Sequence, residues 1–118
     1  MPPSNLQAEQ ALLGAILANN RAYPRVADFL RPEHFADPVN QVVYAAAQSR
    51  IAKGQLADAV TLKAEFENAG TLAEVGGAAY LAQLLTAMVG INTASEYGRA
   101  IYDAWKRRVL IDVGAAVV

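Results

Sequence analysis

The sequence predicts an all-α fold, and three observations support this prediction. Apolar residues make up 54 % of the 118 residues, with much alanine and few runs rich in valine and isoleucine, which favours helices over strands. Apolar side chains recur at the three- and four-residue spacing of a helix face. Capping residues precede several of these segments and glycines follow them. A chain of this length is expected to form one domain with a substantial core.

The first predicted helix, residues 4–17, is expected to be the central helix of the domain. Ser4 is a suitable N-cap, and Gln7 stands where a capping box places its second residue. The expected apolar face carries Leu6, Leu12, Leu13, Ile16 and Leu17. The opposite face carries small residues, so other helices can enclose this one on both sides.

Glu9 interrupts the apolar face, because a turn of about 100° per residue places it between Ile16 and Leu13. A buried carboxylate requires hydrogen-bond donors. We interpret Glu9 as a structural buried carboxylate bonded to a loop. The alternative is a catalytic acid in a small enzyme, but no second acid or nucleophile lies near it in sequence.

The middle of the sequence predicts a short helix, a connector and one longer helix. Residues 22–30 are expected to form a short helix with Asn20 as its cap, followed by a connector that Phe35 anchors in the core. Asp37 and Pro38 together indicate a helix start, and this helix is expected to end at Gly54. Its expected buried side consists of Val39, Val42, Val43, Ala46, Ala47 and Ile51, with Asn40 mostly solvated.

Three further segments complete the predicted fold. Asp58 is expected to cap a helix over residues 59–69 that Gly70 ends, and residues 78–88 form the next helix after a single turn. Thr93, with Glu96 three residues later, predicts the start of one long final helix. The expected architecture is a compact head of about five helices followed by this long C-terminal helix.

The final helix is the candidate for a protein interface. Its predicted apolar stripe includes Tyr97, Ile101, Trp105 and Val109, and aromatic anchors on a helix that projects beyond its own core are typical of interfaces. For Tyr97, a contact with the domain's own core is an equal alternative. The apolar end of this helix indicates either a fragment of a longer protein or a surface that another chain covers.

Few other features point to chemistry. The formal net charge is −1 and cysteine is absent, which argues against nucleic-acid binding by this domain and excludes thiolate sites. His34 is the single histidine, and no phosphate-binding loop occurs, so we expect no catalytic, cofactor or metal site. The basic run at residues 106–108 is interpreted as a solvated or partner-facing turn, with a phosphate contact as the alternative. No membrane span or secretory signal is apparent, and a cytoplasmic location is expected.

Five runs resemble the N-terminal domain of DnaB-type replicative DNA helicases, in the family's order and spacing. They are residues 8–17 (Ala-Glu-Gln-Ala-Leu-Leu-Gly-Ala-Ile-Leu), 31–35 (Arg-Pro-Glu-His-Phe), 58–62 (Asp-Ala-Val-Thr-Leu), 74–81 (Glu-Val-Gly-Gly-Ala-Ala-Tyr-Leu) and 97–101 (Tyr-Gly-Arg-Ala-Ile). Three residues depart from the family pattern. His34 replaces an acid, Gly98 replaces alanine, and Trp105 stands where a small residue is usual.

The resemblance implies a helical head, residues 1–92, followed by residues 93–118 as the first arm of a dimerisation hairpin. It implies that the second arm and the ATPase motor, with ATP and magnesium, belong to the parent chain, which would be the enzyme. Such domains pair through their hairpins, form the collar of a hexameric ring around single-stranded DNA, and dock the C-terminal domain of primase. A helicase loader is a further candidate partner.

From the resemblance we expect an assembly and primase-docking module with weak or no DNA binding of its own and no contact with membranes. The alternative is a free-standing all-α adaptor, such as a helicase loader or a phage replication protein. If the final helix is an unsatisfied arm, Ile101→Asp or Trp105→Asp is expected to weaken self-association while residues 6–88 stay folded.

Overall fold

The computed structural model describes residues 5–87 and 90–117, with side chains as far as residue 112. In this part of the chain there are five α-helices, four short 3₁₀ helices and no strand. The α-helices are α1 (Leu6–Ala18), α2 (Pro38–Ala52), α3 (Ala59–Ala69), α4 (Gly77–Thr86) and α5 (Ala94–Val117). The 3₁₀ helices span Asn20–Arg25, Pro32–His34, Leu72–Val75 and Ile91–Thr93. The all-α prediction is confirmed.

Helix α1 is the centre of the domain, as predicted. It packs against α2, α4 and α5. Leu12, Leu13 and Ile16 are completely buried, and burying each such side chain contributes about 1.5–3 kcal/mol relative to leaving it in water. The small residues Ala8, Ala11, Gly14 and Ala15 are buried as well, which allows neighbouring helices to approach α1 from both sides.

The start of α1 differs from the prediction. The N-cap is Asn5, whose side chain accepts a hydrogen bond from the backbone N–H of Ala8 at 3.0 Å, and Ser4 lies outside the described residues. Asn and Ser are equally good caps, so sequence alone did not distinguish them. With the helix beginning at Leu6, that side chain is 46 % exposed and does not join the core.

The predicted helix over residues 22–30 is wrong. A 3₁₀ helix, Asn20–Arg25, followed by a turn, takes its place, and its cap is Asn19, which accepts from the backbone N–H of Arg21 at 3.0 Å. Asn20 has a different role. Its side-chain amide donates to the carbonyls of Ile16 at 2.8 Å and Ala57 at 2.6 Å, and its oxygen accepts from the backbone N–H of Ala57 at 3.0 Å. Asn20 therefore ties the end of α1 to the segment before α3.

The caps of α2 and α3 are confirmed. Asp37 accepts from the backbone N–H of Val39 at 2.8 Å, and Asp58 accepts from that of Thr61 at 2.8 Å. Gly70 ends α3 in the left-handed conformation with φ of 73°, where a glycine is favoured.

The buried face of α2 is rotated from the predicted one. Val42 is 46 % exposed, whereas Asn40 and Tyr44 are completely buried. The hydroxyl of Tyr44 donates to the carbonyl of Leu30 at 2.8 Å. Burial raises the pKa of Tyr44 above its ordinary value, so the phenol remains protonated and can serve as this donor.

Helices α4 and α5 complete the head. Helix α4 buries Leu81 and Leu84; the predicted last residue of this helix, Met88, lies outside the described residues. The single long final helix is confirmed as α5. The hydroxyl of Thr93 donates back to the carbonyl of Gly90 at 2.9 Å, within the preceding 3₁₀ helix. No single described helix is long and apolar enough to cross a membrane, although Leu72–Thr86 and Ile91–Asp112, bent by 95°, meet that test together.

Gly98 allows α5 to approach the turn that follows the first 3₁₀ helix. It is buried, and a Cβ atom at this position would lie 2.5 Å from Cγ1 of Val26 and 3.2 Å from Cζ of Phe29. Both distances are shorter than an ordinary contact between carbon atoms. The glycine therefore serves close packing between α5 and this turn, at some cost in helix propensity.

We predict that Gly98→Ala lowers the free energy of unfolding by about 1 kcal/mol, because the clash with Val26 outweighs the gain in helix propensity. Urea denaturation measures this. In a Val26→Ala background the same substitution should cost less, since the Cγ1 methyl group is gone and only the milder contacts with Phe29 Cζ and the Cβ of residue 26 remain. A Gly98→Ala variant that is more stable than the wild type would contradict the close approach.

Candidate functional site

Helix α5 changes character along its length. Its first part is buried against the head, where Ala94, Ile101 and Ala104 are between 0 and 7 % exposed. Beyond Trp105 large apolar side chains are exposed: Val109 by 38 %, Leu110 by 69 % and Ile111 by 52 %. We call these three residues the distal patch. Adjacent exposed apolar side chains at one end of a helix are typical of a protein-interaction surface.

The structure separates the four predicted interface residues. Val109 belongs to the distal patch. Tyr97 is partly buried and lines a groove of about 430 Å³ beside Gln7 and Gln10 of α1. Ile101 is 1 % exposed and lies in the hydrophobic core of the head, so it is not available to a partner. The expectation that Ile101→Asp spares the head is therefore wrong, because the substitution would bury a charge in the core.

Trp105 packs against its own chain and is partly exposed. Its ring centroid lies 4.3 Å from that of His34 and 5.6 Å from that of Tyr102. It also lines a groove of about 290 Å³ together with Val109 and Asp112. Trp105 therefore lies between the aromatic contacts of the head and the distal patch.

The basic run at residues 106–108 also contacts the domain's own groups. The ammonium nitrogen of Lys106 lies 5.3 Å from the ring centroid of Tyr102 and 3.8 Å from a carboxylate oxygen of Asp103. The guanidinium of Arg108 donates to the carbonyl of His34 at 2.9 Å. Exposed ion pairs such as the Lys106–Asp103 pair contribute little to stability. Both contacts of Lys106 lie within α5, whereas Arg108 bonds to the head.

Glu9 is the centre of a buried polar cluster, which we call the Glu9 joint. At 1 % exposure, its carboxylate accepts from the backbone N–H groups of Ala36 at 2.7 Å and Asp37 at 3.3 Å, and from the side-chain amide of Asn40 at 2.9 Å. Asn40 in turn accepts from the hydroxyl of Tyr80 on α4. The joint therefore connects α1, the start of α2 and α4.

The groups around the Glu9 carboxylate are all hydrogen-bond donors. Two of its donors are backbone N–H groups at the start of α2, where the helix dipole is positive. Hydrogen bonds to an ionised acceptor are stronger than neutral ones. Burial raises the pKa of Tyr80, so its hydroxyl stays a donor. Among the described side chains, no buried nitrogen or oxygen lacks a hydrogen-bond partner.

This arrangement offers nothing to a substrate. Glu9 is enclosed by the three helices, and the groups within hydrogen-bond distance are backbone amides and a neutral side-chain amide. General acid–base catalysis requires a group that reaches the reacting atoms. The geometry therefore supports a structural role for the Glu9 carboxylate.

Sequence reasoning missed Asn40 and Tyr80. Asn40 was expected in solvent because its partners, Glu9 and Tyr80, are 31 and 40 residues away. The available signal was its position one turn after the Asp37 cap, on the side where a carboxylate bonded to that helix start would lie. His34 is 5 % exposed, and its Nδ1 atom accepts a hydrogen bond from the backbone N–H of Arg31.

Comparisons with a family model, with curated proteins and with solved structures all identify the same family. A family model described as the DnaB-like helicase N terminal domain matches residues 1–103. The chain is 42 % identical to the replicative DNA helicase DnaB of Rickettsia typhi over 116 residues, which is 98 % of this chain and 23 % of that protein. The chain thus spans about a quarter of the length of the curated relatives it matches.

Two solved structures extend the likeness to the fold. The N-terminal domain of DnaB helicase from Mycobacterium tuberculosis superposes with a TM-score of 0.94 at 36 % identity, covering 99 % of this chain and 85 % of the other. A DnaB-like replicative helicase, whose structure was described with its interactions with primase, gives a TM-score of 0.81 at 26 % identity. It covers 96 % of this chain and 27 % of the other.

We predict that Glu9→Gln lowers the free energy of unfolding by about 2–3 kcal/mol, because the new NH₂ group faces hydrogen-bond donors and leaves one of them unsatisfied. Chemical denaturation measures the loss. The control is Glu67→Gln, at an exposed position that pairs with Lys63 on the same helix, where the change should stay within about 0.5 kcal/mol. Equal small effects at both positions would show that the joint is not important for stability.

Proposed function

Because the chain belongs to the family of DnaB-like helicase N-terminal domains, we propose that it is the assembly and primase-docking module of a hexameric, ATP-dependent replicative DNA helicase. In this proposal the longer protein acts in chromosome replication and in the primosome, in the cytoplasm. The ATPase motor, its ATP and magnesium, and the passage for single-stranded DNA lie outside this chain. The relatives, each a replicative DNA helicase, support this assignment.

The observation that carries the proposal is the distal patch. The first part of α5 is buried by the head, while Leu110 and Ile111 are more than half exposed on the same helix. A helix in this position can serve as the first arm of a hairpin that pairs with a second copy of the chain. In a two-fold pair each copy contributes the same patch, so the apolar area buried doubles.

The magnitudes indicate how strong such pairing can be. Burying the exposed fractions of these six side chains, three from each copy, contributes roughly 5–10 kcal/mol. Association costs roughly 4–15 kcal/mol in lost translational and rotational freedom. The patch by itself therefore supports weak pairing, and stable pairing within a ring requires the additional surface of the second hairpin arm.

The proposed partners follow from the same comparison. A structural neighbour of this chain is a helicase described with its interactions with primase, which supports primase as the docked protein. A helicase loader is a further candidate partner. The formal net charge of −1 argues that the domain contributes little to DNA binding, because contacts to phosphates require clustered positive charge.

We predict that Leu110→Asp abolishes concentration-dependent self-association, since it places a charge in the centre of the distal patch. Analytical ultracentrifugation over a range of protein concentrations measures the association, and circular dichroism verifies that the head remains helical. The matched control is Val60→Asp, at an apolar side chain on α3 that is 76 % exposed. This control should associate like the wild type.

Unchanged association of Leu110→Asp, or an equal loss in Val60→Asp, would contradict the assignment of α5 as the pairing arm. Ile101→Asp is unsuitable for this test. Its side chain is 1 % exposed, so the variant is expected to unfold the head and would not report on pairing.

A further inference from the structure

The segment 31–37 lies between helices α1, α2 and α5. On one side its backbone N–H groups at Ala36 and Asp37 donate to Glu9 of α1. In its middle, Phe35 is 1 % exposed and packs on Tyr44 of α2, with ring centroids 4.8 Å apart. On the other side, the carbonyl of His34 accepts from Arg108 of α5. The segment therefore contacts α1, α2 and α5.

His34 forms the contact between this segment and α5. Its ring is perpendicular to Tyr102 at a centroid distance of 5.0 Å and lies 4.3 Å from the ring of Trp105. Its Nδ1 atom accepts a hydrogen bond from the backbone N–H of Arg31 at 2.9 Å. An accepting Nδ1 means that the imidazole is neutral in this arrangement, with its proton on Nε2.

We infer that His34 is a proton-sensitive latch, which in its neutral form holds residues 31–37 against Tyr102 and Trp105, and in its protonated form loosens the contact with α5. The latch is independent of the proposed function, because every group in it lies within one copy of the chain. His34 acts as a positioning residue, through the rings and the backbone that it contacts.

Protonation changes the latch in three ways. Nδ1 becomes a donor and faces the N–H of Arg31, so that hydrogen bond is lost. The new positive charge is unfavourable because it lies at a site that is 5 % exposed and has little contact with water. It also meets the cations of Arg31 on its own segment and Arg108 on α5, which oppose the attraction of the Glu33 carboxylate. Asp103 of α5 pairs with Lys106. Lys106, above the ring of Tyr102, adds a further positive charge on the α5 side.

One interaction favours the protonated form. A cation over the face of an aromatic ring gains cation–π attraction, and the imidazole contacts both Tyr102 and Trp105. Burial nevertheless outweighs the attraction of Glu33, and it is the largest cause that holds the pKa of His34 below its ordinary value of 6.5.

The sign of the pH dependence follows from this direction. The unfolded chain has the ordinary histidine pKa of 6.5 and the native chain a lower one, so between these two values the unfolded chain binds more protons. The stability that neutral His34 contributes is complete above pH 6.5 and is lost as the pH falls through the native pKa.

The sequence makes the test direct, because it contains one histidine, one tryptophan and no cysteine. We predict that the single histidine ring signal in a proton NMR titration has a midpoint below pH 6.5. Trp105 fluorescence should change with the same midpoint. The helical circular dichroism should stay constant over this range, since only the contact between residues 31–37 and α5 loosens.

The control is His34→Gln, whose side-chain oxygen can accept the Arg31 hydrogen bond but does not titrate between pH 5 and 7.5. In this variant the fluorescence should be independent of pH over the same range. The wild type should lose melting temperature relative to His34→Gln as the pH falls from 7.5 to 5, and the comparison cancels the contribution of the carboxylates common to both chains.

Movement of α5 can be measured with spin labels. Ser49 on α2 and Arg107 on α5 are both exposed. A Ser49→Cys/Arg107→Cys variant, spin-labelled at both cysteines and diluted with unlabelled protein, reports the distance between α2 and α5. We expect a broader distance distribution at pH 5 than at pH 7.5, and no such change when His34→Gln is added.

Three results would overturn the latch. The first is a histidine midpoint at or above pH 6.5. The second is fluorescence that stays constant through the histidine titration. The third is a loss of helical signal with the same midpoint, which would mean that the whole domain unfolds instead of a local contact opening.

Discussion

The fold depends on one buried carboxylate. Glu9 lies on the apolar face of the central helix at 1 % exposure, and an ionised carboxylate removed from water is strongly unfavourable unless donors replace its hydration. The replacements come from the backbone at Ala36 and Asp37 and from Asn40. Since those groups are at the start of α2, satisfying Glu9 fixes where α2 begins relative to α1, and Tyr80 extends the same constraint to α4 through Asn40.

The position of α5 follows from that arrangement. The segment after the first 3₁₀ helix passes from Val26 to the Glu9 joint, and α5 packs against it at both ends, at Gly98 and at Trp105. The apolar core alone is compatible with several angles of such a helix, because dispersion and burial are not directional. Polar contacts and close packing at defined points select one of them. The head therefore holds α5 in a defined direction.

Local sequence signals predicted local structure well. Asp37 with Pro38, Asp58 and Gly70 mark helix ends in the structure because capping depends on a few consecutive residues. The five runs that resemble the family lay across most of the chain and led to the right family. Periodicity also identified α1 as a central helix, since small residues on its second face leave room for neighbours.

The remaining features depend on contacts between distant residues. Asn20 resembles a cap, but its side chain bonds to Ala57, 37 residues away. Ile101 and Leu110 are both apolar residues of one helix, and only the position of the head determines that the first is buried and the second is 69 % exposed. His34 is buried because Tyr102 and Trp105, far along the chain, cover it. No local pattern contains this information.

Amide hydrogen exchange at Ala36 and Asp37 tests most directly whether the Glu9 carboxylate organises the head. These two N–H groups lie in a connection between helices, where exchange is ordinarily fast, and in this structure they donate to Glu9. If the carboxylate holds the connection in place, both amides exchange only when the whole domain unfolds, with protection equal to that of the α1 amides around Leu13. Rapid exchange at Ala36 and Asp37 while α1 remains protected would show that the connection opens independently and that the buried carboxylate does not hold the fold together.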